Sequence, residues 1–139
     1  MSITYKKTFG LEELSSIAKD LLEQVTSSII LLDGPVGAGK TTLVKELISL
    51  LGAEDQGHSP TFGLLNEYAT PEGEIVAYHL DAYRLRSEEE AFDLGLEEFW
   101  FINTLFIIEW PNKLGSLVPS DAFFVKIDYA EGGKRQIHW

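Results

Sequence analysis

Cysteine is absent from the 139 residues, which removes disulfide bonds, thiolate metal sites and thiol nucleophiles together and suits a reducing compartment. Long hydrophobic runs are missing as well. No apolar stretch approaches the ~18 residues of a membrane span, and no apolar segment resembling a signal peptide follows Met1 to Lys7, so a soluble, cytoplasmic protein is expected. Basic residues are scarce, with 11 Lys and Arg against 22 Asp and Glu and a formal net charge of −11. Nucleic-acid binding takes most of its affinity from cations that neutralise phosphates. A chain this acidic is therefore not expected to hold RNA or DNA across a broad face, and any link to nucleic acid would run through a partner. Residues 1–139 are most simply one domain, and at 45% hydrophobic content they can bury a core.

The stretch around which the rest is organised is Gly34-Pro35-Val36-Gly37-Ala38-Gly39-Lys40-Thr41-Thr42. It matches G-x-x-x-x-G-K-[ST] between a short apolar run, Ile29 to Leu32, and a helical pattern from Thr41 to Leu51. Each residue type answers a need of a polyphosphate. Glycines at 34, 37 and 39 let backbone N–H groups turn inward at the positive end of the following helix. Lys40 can reach the β- and γ-phosphates, and Thr41 can offer its hydroxyl to Mg²⁺.

Around this loop the spacing predicts alternating elements. Ser2 to Phe9 reads as an edge strand guarded by Lys6 and Lys7, and Leu11 to Val25 as an amphipathic helix. Ser28 to Leu32 reads as a buried parallel strand ending at Asp33, a turn residue. In the loop helix Leu43, Leu47, Leu50 and Leu51 are expected to face the sheet. Thr61 to Tyr68 and Ile75 to Asp81 read as an antiparallel pair. Ser87-Glu88-Glu89-Glu90 has the form of a capping box opening a helix that Gly95 ends, with a further helical turn over Leu96 to Ile102. Thr104 to Trp110 is a third core strand, Pro111 to Ser120 a loop, and Ala122 to Tyr129 with Arg135 to Trp139 a closing hairpin. Such alternation predicts a three-layer α/β domain of P-loop NTPase type with a mixed, partly parallel sheet.

A phosphate loop hydrolyses nothing without an acid to hold Mg²⁺ or its waters at the end of a neighbouring strand. Glu109, after Leu105-Phe106-Ile107-Ile108, and Asp81, after Val76 to Leu80, both qualify. Ser59-Pro60-Thr61 occupies the position of a loop that senses the γ-phosphate. Asn112-Lys113-Leu114-Gly115 begins like a guanine-reading N-K-x-D element but has glycine in place of the aspartate, which favours ATP over GTP. His58, His79 and His138 lack metal-ligand spacing and are assigned to surface or core, as Trp100 and Trp139 are to packing. Trp110 differs because it directly follows Glu109.

Together, Gly37-Ala38-Gly39-Lys40-Thr41-Thr42, Ser59-Pro60-Thr61-Phe62, Asp81-Ala82-Tyr83-Arg84 and Glu109-Trp110-Pro111 resemble the TsaE (YjeE) family, over nearly the whole chain. The resemblance implies a small ATPase that binds ATP and Mg²⁺, is slow alone, and works with TsaB and TsaD to install threonylcarbamoyladenosine in tRNAs reading codons that start with A. The tRNA would be reached only through the complex. It further implies Thr41 and Glu109 as Mg²⁺ ligands, Val36 to Thr41 as the phosphate cradle with Lys40, and Asp81 and Thr61 toward the γ-phosphate and attacking water. Thr42, Trp110, Gly10, Asn112 and Gly133 are implied around the nucleotide. Pro35-Val36 departs from the family's more usual Asp-Leu and stiffens the loop. Two other readings are a small-molecule kinase using the same loop and a nucleotide-gated interaction module without significant turnover.

Overall fold

The computed structural model describes residues 3–53 and 65–139. Its strands are β1 (Lys6–Phe9), β2 (Ile29–Asp33), β3 (Leu65–Ala69), β4 (Ile75–Asp81), β5 (Leu105–Glu109), β6 (Phe123–Tyr129) and β7 (Arg135–His138). The helices are α1 (Leu14–Gln24), α2 (Lys40–Leu50) and α3 (Glu88–Asp93), with 3₁₀ turns between several elements. One sheet runs in the order β1-β7-β6-β2-β5-β4-β3. Its centre is parallel, β6 with β2, β2 with β5 and β5 with β4, whereas β1, β7 and β3 add antiparallel pairs outside it. The mixed α/β sheet expected from the alternation is therefore present.

Strand periodicity divides the core into two layers. Ile30, Leu32 and Ile107 face one side, where they pack with Ile17, Leu21, Leu43 and Leu47 of α1 and α2. Ile29, Leu31, Phe106 and Ile108 face the other, against Ala91 of α3 and Leu96 and Leu114 of the 3₁₀ turns. In α2 the buried stripe is Leu43, Val44, Leu47 and Ile48, while Leu50 and Leu51 are only half-buried. Leu50 and Leu51 still pack against that layer as expected, and the stripe is widened because i, i+4 rows pair Val44 with Ile48 beside Leu43 and Leu47.

Local chemistry explains most element ends. Ser87 caps α3 by accepting from the Glu90 N–H at 3.1 Å, but the Glu90 carboxylate accepts from the Arg86 N–H, so the expected capping box is only half made. Gly95 ends the segment at φ 73°. Pro111 to Leu117, expected as a loop, instead forms a kinked 3₁₀ segment, since Pro111 sits at its first position and Gly115 takes φ 56° inside it.

The chain ends are joined by Tyr5 and Trp139, whose rings stack at 3.9 Å and 2° and whose backbones exchange hydrogen bonds of 3.0 Å. The Tyr5 hydroxyl donates to Asp20 at 2.7 Å, and burial together with that carboxylate pushes the phenol up from 10.0 to about 12. A group whose pKa is higher in the folded state contributes stability below its unfolded pKa and loses it as pH rises through the folded value. Tyr5→Phe should therefore cost stability at pH 8 and progressively less between pH 10 and about 12. Denaturant titrations of both proteins across that range check this; a difference that stays constant with pH would contradict it.

Candidate functional site

The parallel centre places the carboxyl ends of β2, β4 and β5 side by side, and the acids sit there by register. Asp81 is the cross-strand partner of Glu109, and Leu32 pairs with Glu109 from the other side. Because side chains alternate, His79, Asp81 and Glu109 share the face that carries Ile107 and that α2 covers. The phosphate loop lies between β2 and α2, so its lysine arrives at the same place.

Two clefts flank the loop. The first, about 310 Å³, is lined by Val36, Gly37, Lys40, Thr41, Asp81, Tyr83, Glu109 and Trp110. The second, also about 310 Å³, has Gly37, Ala38, Gly39 and Thr42 on one wall and Phe9, Leu11, Leu14, Ile127, Gly133 and Arg135 around the rest. One cleft is therefore acidic and aromatic, while the other is largely apolar. Gly37 and Gly39 take φ 80° and 102°, values that L side chains rarely adopt, which is the need their residue type answers.

Lys40 is 6% exposed. Its Nζ donates to the Gly34 carbonyl and lies 3.6 Å from the centre of the Trp110 ring. Burial pushes its ammonium below the ordinary lysine range, with Glu109, Asp33 and Asp81 pulling it back up. Trp110 brings its ring to Lys40 through a turn of its backbone. Among the described residues it is the one non-glycine at positive φ, 58°, a conformation that costs about 1 to 2 kcal/mol and turns the chain between β5 and Pro111. Tyr83 leans on the same ring at 5.1 Å.

The acids differ in setting. Glu109 is 3% exposed and accepts from His79 Nε2 at 2.6 Å, whereas Asp81 is exposed and accepts from the Tyr83 N–H at 3.1 Å. Asp33, expected as a turn residue, is instead the last residue of β2, and its carboxylate pairs with Lys126 at 3.2 Å. His79 is buried, as a core histidine would be, yet it is bound to a site carboxylate, which histidine spacing does not reveal. The available signal was its position two residues before Asp81 on one strand face. Its Nδ1 is buried without a hydrogen-bond partner among the described residues.

Of the other expected residues, Gly133 lines the second cleft, and Gly10 lies between Phe9 and Leu11, which do. Asn112 is exposed on the 3₁₀ segment and lines neither cleft. Thr61, with Ser59, Pro60 and His58, lies outside the described residues. No group of three or more His, Asp or Glu able to cage a metal occurs among the described residues, and no helix among them is long and apolar enough to cross a membrane.

Comparison with known proteins supplies the family. The tRNA threonylcarbamoyladenosine biosynthesis protein TsaE of Treponema pallidum (strain Nichols) is 37% identical over 117 residues, spanning 84% of this chain and 83% of that protein. The protein of the same name from Nostoc sp. (strain PCC 7120) is 43% identical over 113 residues, covering 78% and 67%. The crystal structure of Bacillus subtilis YdiB superposes with a TM-score of 0.77 at 26% identity, covering 99% of this chain and 86% of that one. Since the family model for threonylcarbamoyl adenosine biosynthesis protein TsaE also matches residues 9–137, taking in the loop, both acids and the closing hairpin, this chain belongs to the TsaE family.

Proposed function

We propose that this protein is the ATP-binding and ATP-hydrolysing component of the bacterial machinery that makes threonylcarbamoyladenosine in tRNA, acting in the cytoplasm with TsaB and TsaD. The observation that carries the reading is the convergence of Lys40, Thr41, Asp81 and Glu109 on one cleft at the mouth of a glycine-built anion nest. A triphosphate fits the first cleft and a base the apolar second one, with the loop between them.

The residues also fit Mg²⁺, which uses few protein ligands and takes the rest from phosphate and water. Thr41 and Glu109 would hold it, and when bound it would offset charge on the phosphate oxygens. His79 keeps the Glu109 carboxylate turned by bonding one of its oxygens. Lys40 exchanges its contacts with the Gly34 carbonyl and the Trp110 ring for phosphate oxygens, a stronger partner for a buried cation. Asp81, oriented by the Tyr83 N–H, positions the attacking water and accepts its proton on a carboxylate oxygen. The net charge of −11 suits a subunit whose partners carry the tRNA.

Reconstituted threonylcarbamoyl transfer with TsaB and TsaD, run for many turnovers with and without this protein, tests the proposal. The expected result is a yield that rises with the protein and ATP and falls back when Lys40→Ala replaces it. Equal yields in all cases would sink it. ATP consumption that yields a phosphorylated small acceptor would favour the kinase reading, and ATP-dependent complex formation without single-turnover hydrolysis the interaction module.

A further inference from the structure

The phosphate loop is gripped from behind by two side chains of the closing hairpin. The Tyr129 hydroxyl donates to the Val36 carbonyl. Arg135 Nε donates to the Ala38 carbonyl at 3.1 Å, and its Nη2 donates to the Gly37 carbonyl at 3.2 Å. The same guanidinium is anchored in its own turn through Nη1, which donates to Gly133 at 3.3 Å and Lys134 at 3.1 Å, and it lies 5.0 Å from the Tyr129 ring.

In a planar trans peptide the C=O and N–H point opposite ways. Holding the Val36 carbonyl outward therefore turns the Gly37 N–H to the other side, and holding the Ala38 carbonyl outward does the same for the Gly39 N–H. The peptide between them closes an inner turn, with the Ala38 N–H on the Pro35 carbonyl at 3.2 Å. Left to themselves, Gly37 and Gly39 sample both signs of φ, so an ungripped loop would have to be ordered by the anion at a cost in affinity. Closeness also matters. A Cβ on Gly37 would meet the Tyr129 hydroxyl at 3.1 Å, so a side chain there would push the hydroxyl by a few tenths of an ångström.

We infer that Tyr129 and Arg135 are positioning residues that hold the N–H groups of Gly37 and Gly39 toward a bound polyphosphate, so that β6 and β7 set the nucleotide affinity of a loop they do not belong to. This rests on the nucleotide reading above. The fork of Arg135 supplies the bonds to two loop carbonyls, a geometry that a lysine ammonium reproduces only in part.

The test is the ADP dissociation constant by calorimetry for wild type, Tyr129→Phe, Arg135→Gln and Arg135→Lys, with thermal melts without nucleotide. Tyr129→Phe removes one oxygen from a side chain that is 52% exposed, and it should melt with wild type yet bind ADP about three- to tenfold more weakly. Arg135→Gln should lose about tenfold or more, with Arg135→Lys between it and wild type. ADP affinities within twofold of wild type for both Tyr129→Phe and Arg135→Gln would overturn the inference. So would a loss confined to Arg135, which would make it a direct nucleotide contact, or losses that merely track the melts. A wild-type protein that binds no ADP would overturn the nucleotide reading itself and the grip with it.

Discussion

Glu109→Gln should lower Mg²⁺-dependent ATP hydrolysis by about two to three orders of magnitude, the usual scale for removing one group that stabilises charge at a reacting centre, and leave the fold nearly intact. The substitution is chosen for His79. That imidazole donates from Nε2 to Glu109 at 2.6 Å in a place where the two side chains are 8% and 3% exposed. A glutamine carbonyl accepts the same bond and fills the same volume, so only the negative charge is lost. Glu109→Ala removes the acceptor too. It strands a buried N–H beside an Nδ1 that has no partner among the described residues, and should cost about 1 to 3 kcal/mol of stability besides the activity.

Asp81→Ala provides the contrast. Asp81 is exposed and, among the described residues, tied only to the Tyr83 N–H, so its loss should change stability by no more than about 0.5 kcal/mol. Nucleotide binding should persist while hydrolysis falls. Mg²⁺ titrations of ADP affinity, single-turnover hydrolysis and urea denaturation on the three variants separate these terms. If Asp81→Ala abolishes Mg²⁺-dependent binding and Glu109→Gln spares it, the roles assigned to the two acids are exchanged.

What the sequence made legible follows from how local each signal is. The loop, both strand-end acids and the closing hairpin are contiguous patterns whose period or spacing is complete within one short stretch of chain, and they occupy the places expected of them. Contacts between distant segments left no such trace. Tyr129 and Arg135 reach loop carbonyls more than ninety positions away, and nothing around either residue advertises a partner. The same holds for His79, whose bond to Glu109 exists only because β4 and β5 are neighbours in parallel register. The helix stripe is only partly legible for a different reason. Counting leucines ignores the equal claim of Val44 and Ile48 to a buried row, and packing between α1, α2 and the sheet chose the row that includes them. Trp110 lay between these cases. Its position after Glu109 marked it, but only the backbone turn at φ 58° brings its ring to Lys40.

Gly34→Ala should be the most damaging glycine-to-alanine change among the described residues, and for a reason different from that of the other loop glycines. The sequence pattern treats positions 34, 37 and 39 alike, as places where a backbone must turn. Gly37 and Gly39 do so, at positive φ, and a Cβ on Gly39 would find its nearest neighbour at 3.8 Å, so alanine there is strained but not blocked. Gly34 is not at positive φ. A Cβ on it would stand 2.2 Å from the Ile127 carbonyl oxygen and 2.9 Å from Ile127 Cγ2, against the backbone of a strand held by β2 on one side and β7 on the other. Neither atom can swing away as a long side chain could. The loop must lift off β6, at about 1 to 3 kcal/mol or more. The Gly34 carbonyl that receives Lys40 Nζ moves with it, and so do the carbonyls that Tyr129 and Arg135 hold. ADP affinity should therefore collapse together with stability. Gly52→Ala is the matched control, since Gly52 has φ 84° with open space around it and lies at the far end of α2. It should lose about 1 to 2 kcal/mol to backbone strain and none of its ADP affinity. Urea denaturation and ADP calorimetry on the pair decide the matter. A Gly34→Ala protein that binds ADP like wild type would mean that β6 yields to the loop, and that the seat of the lysine is not fixed by that contact.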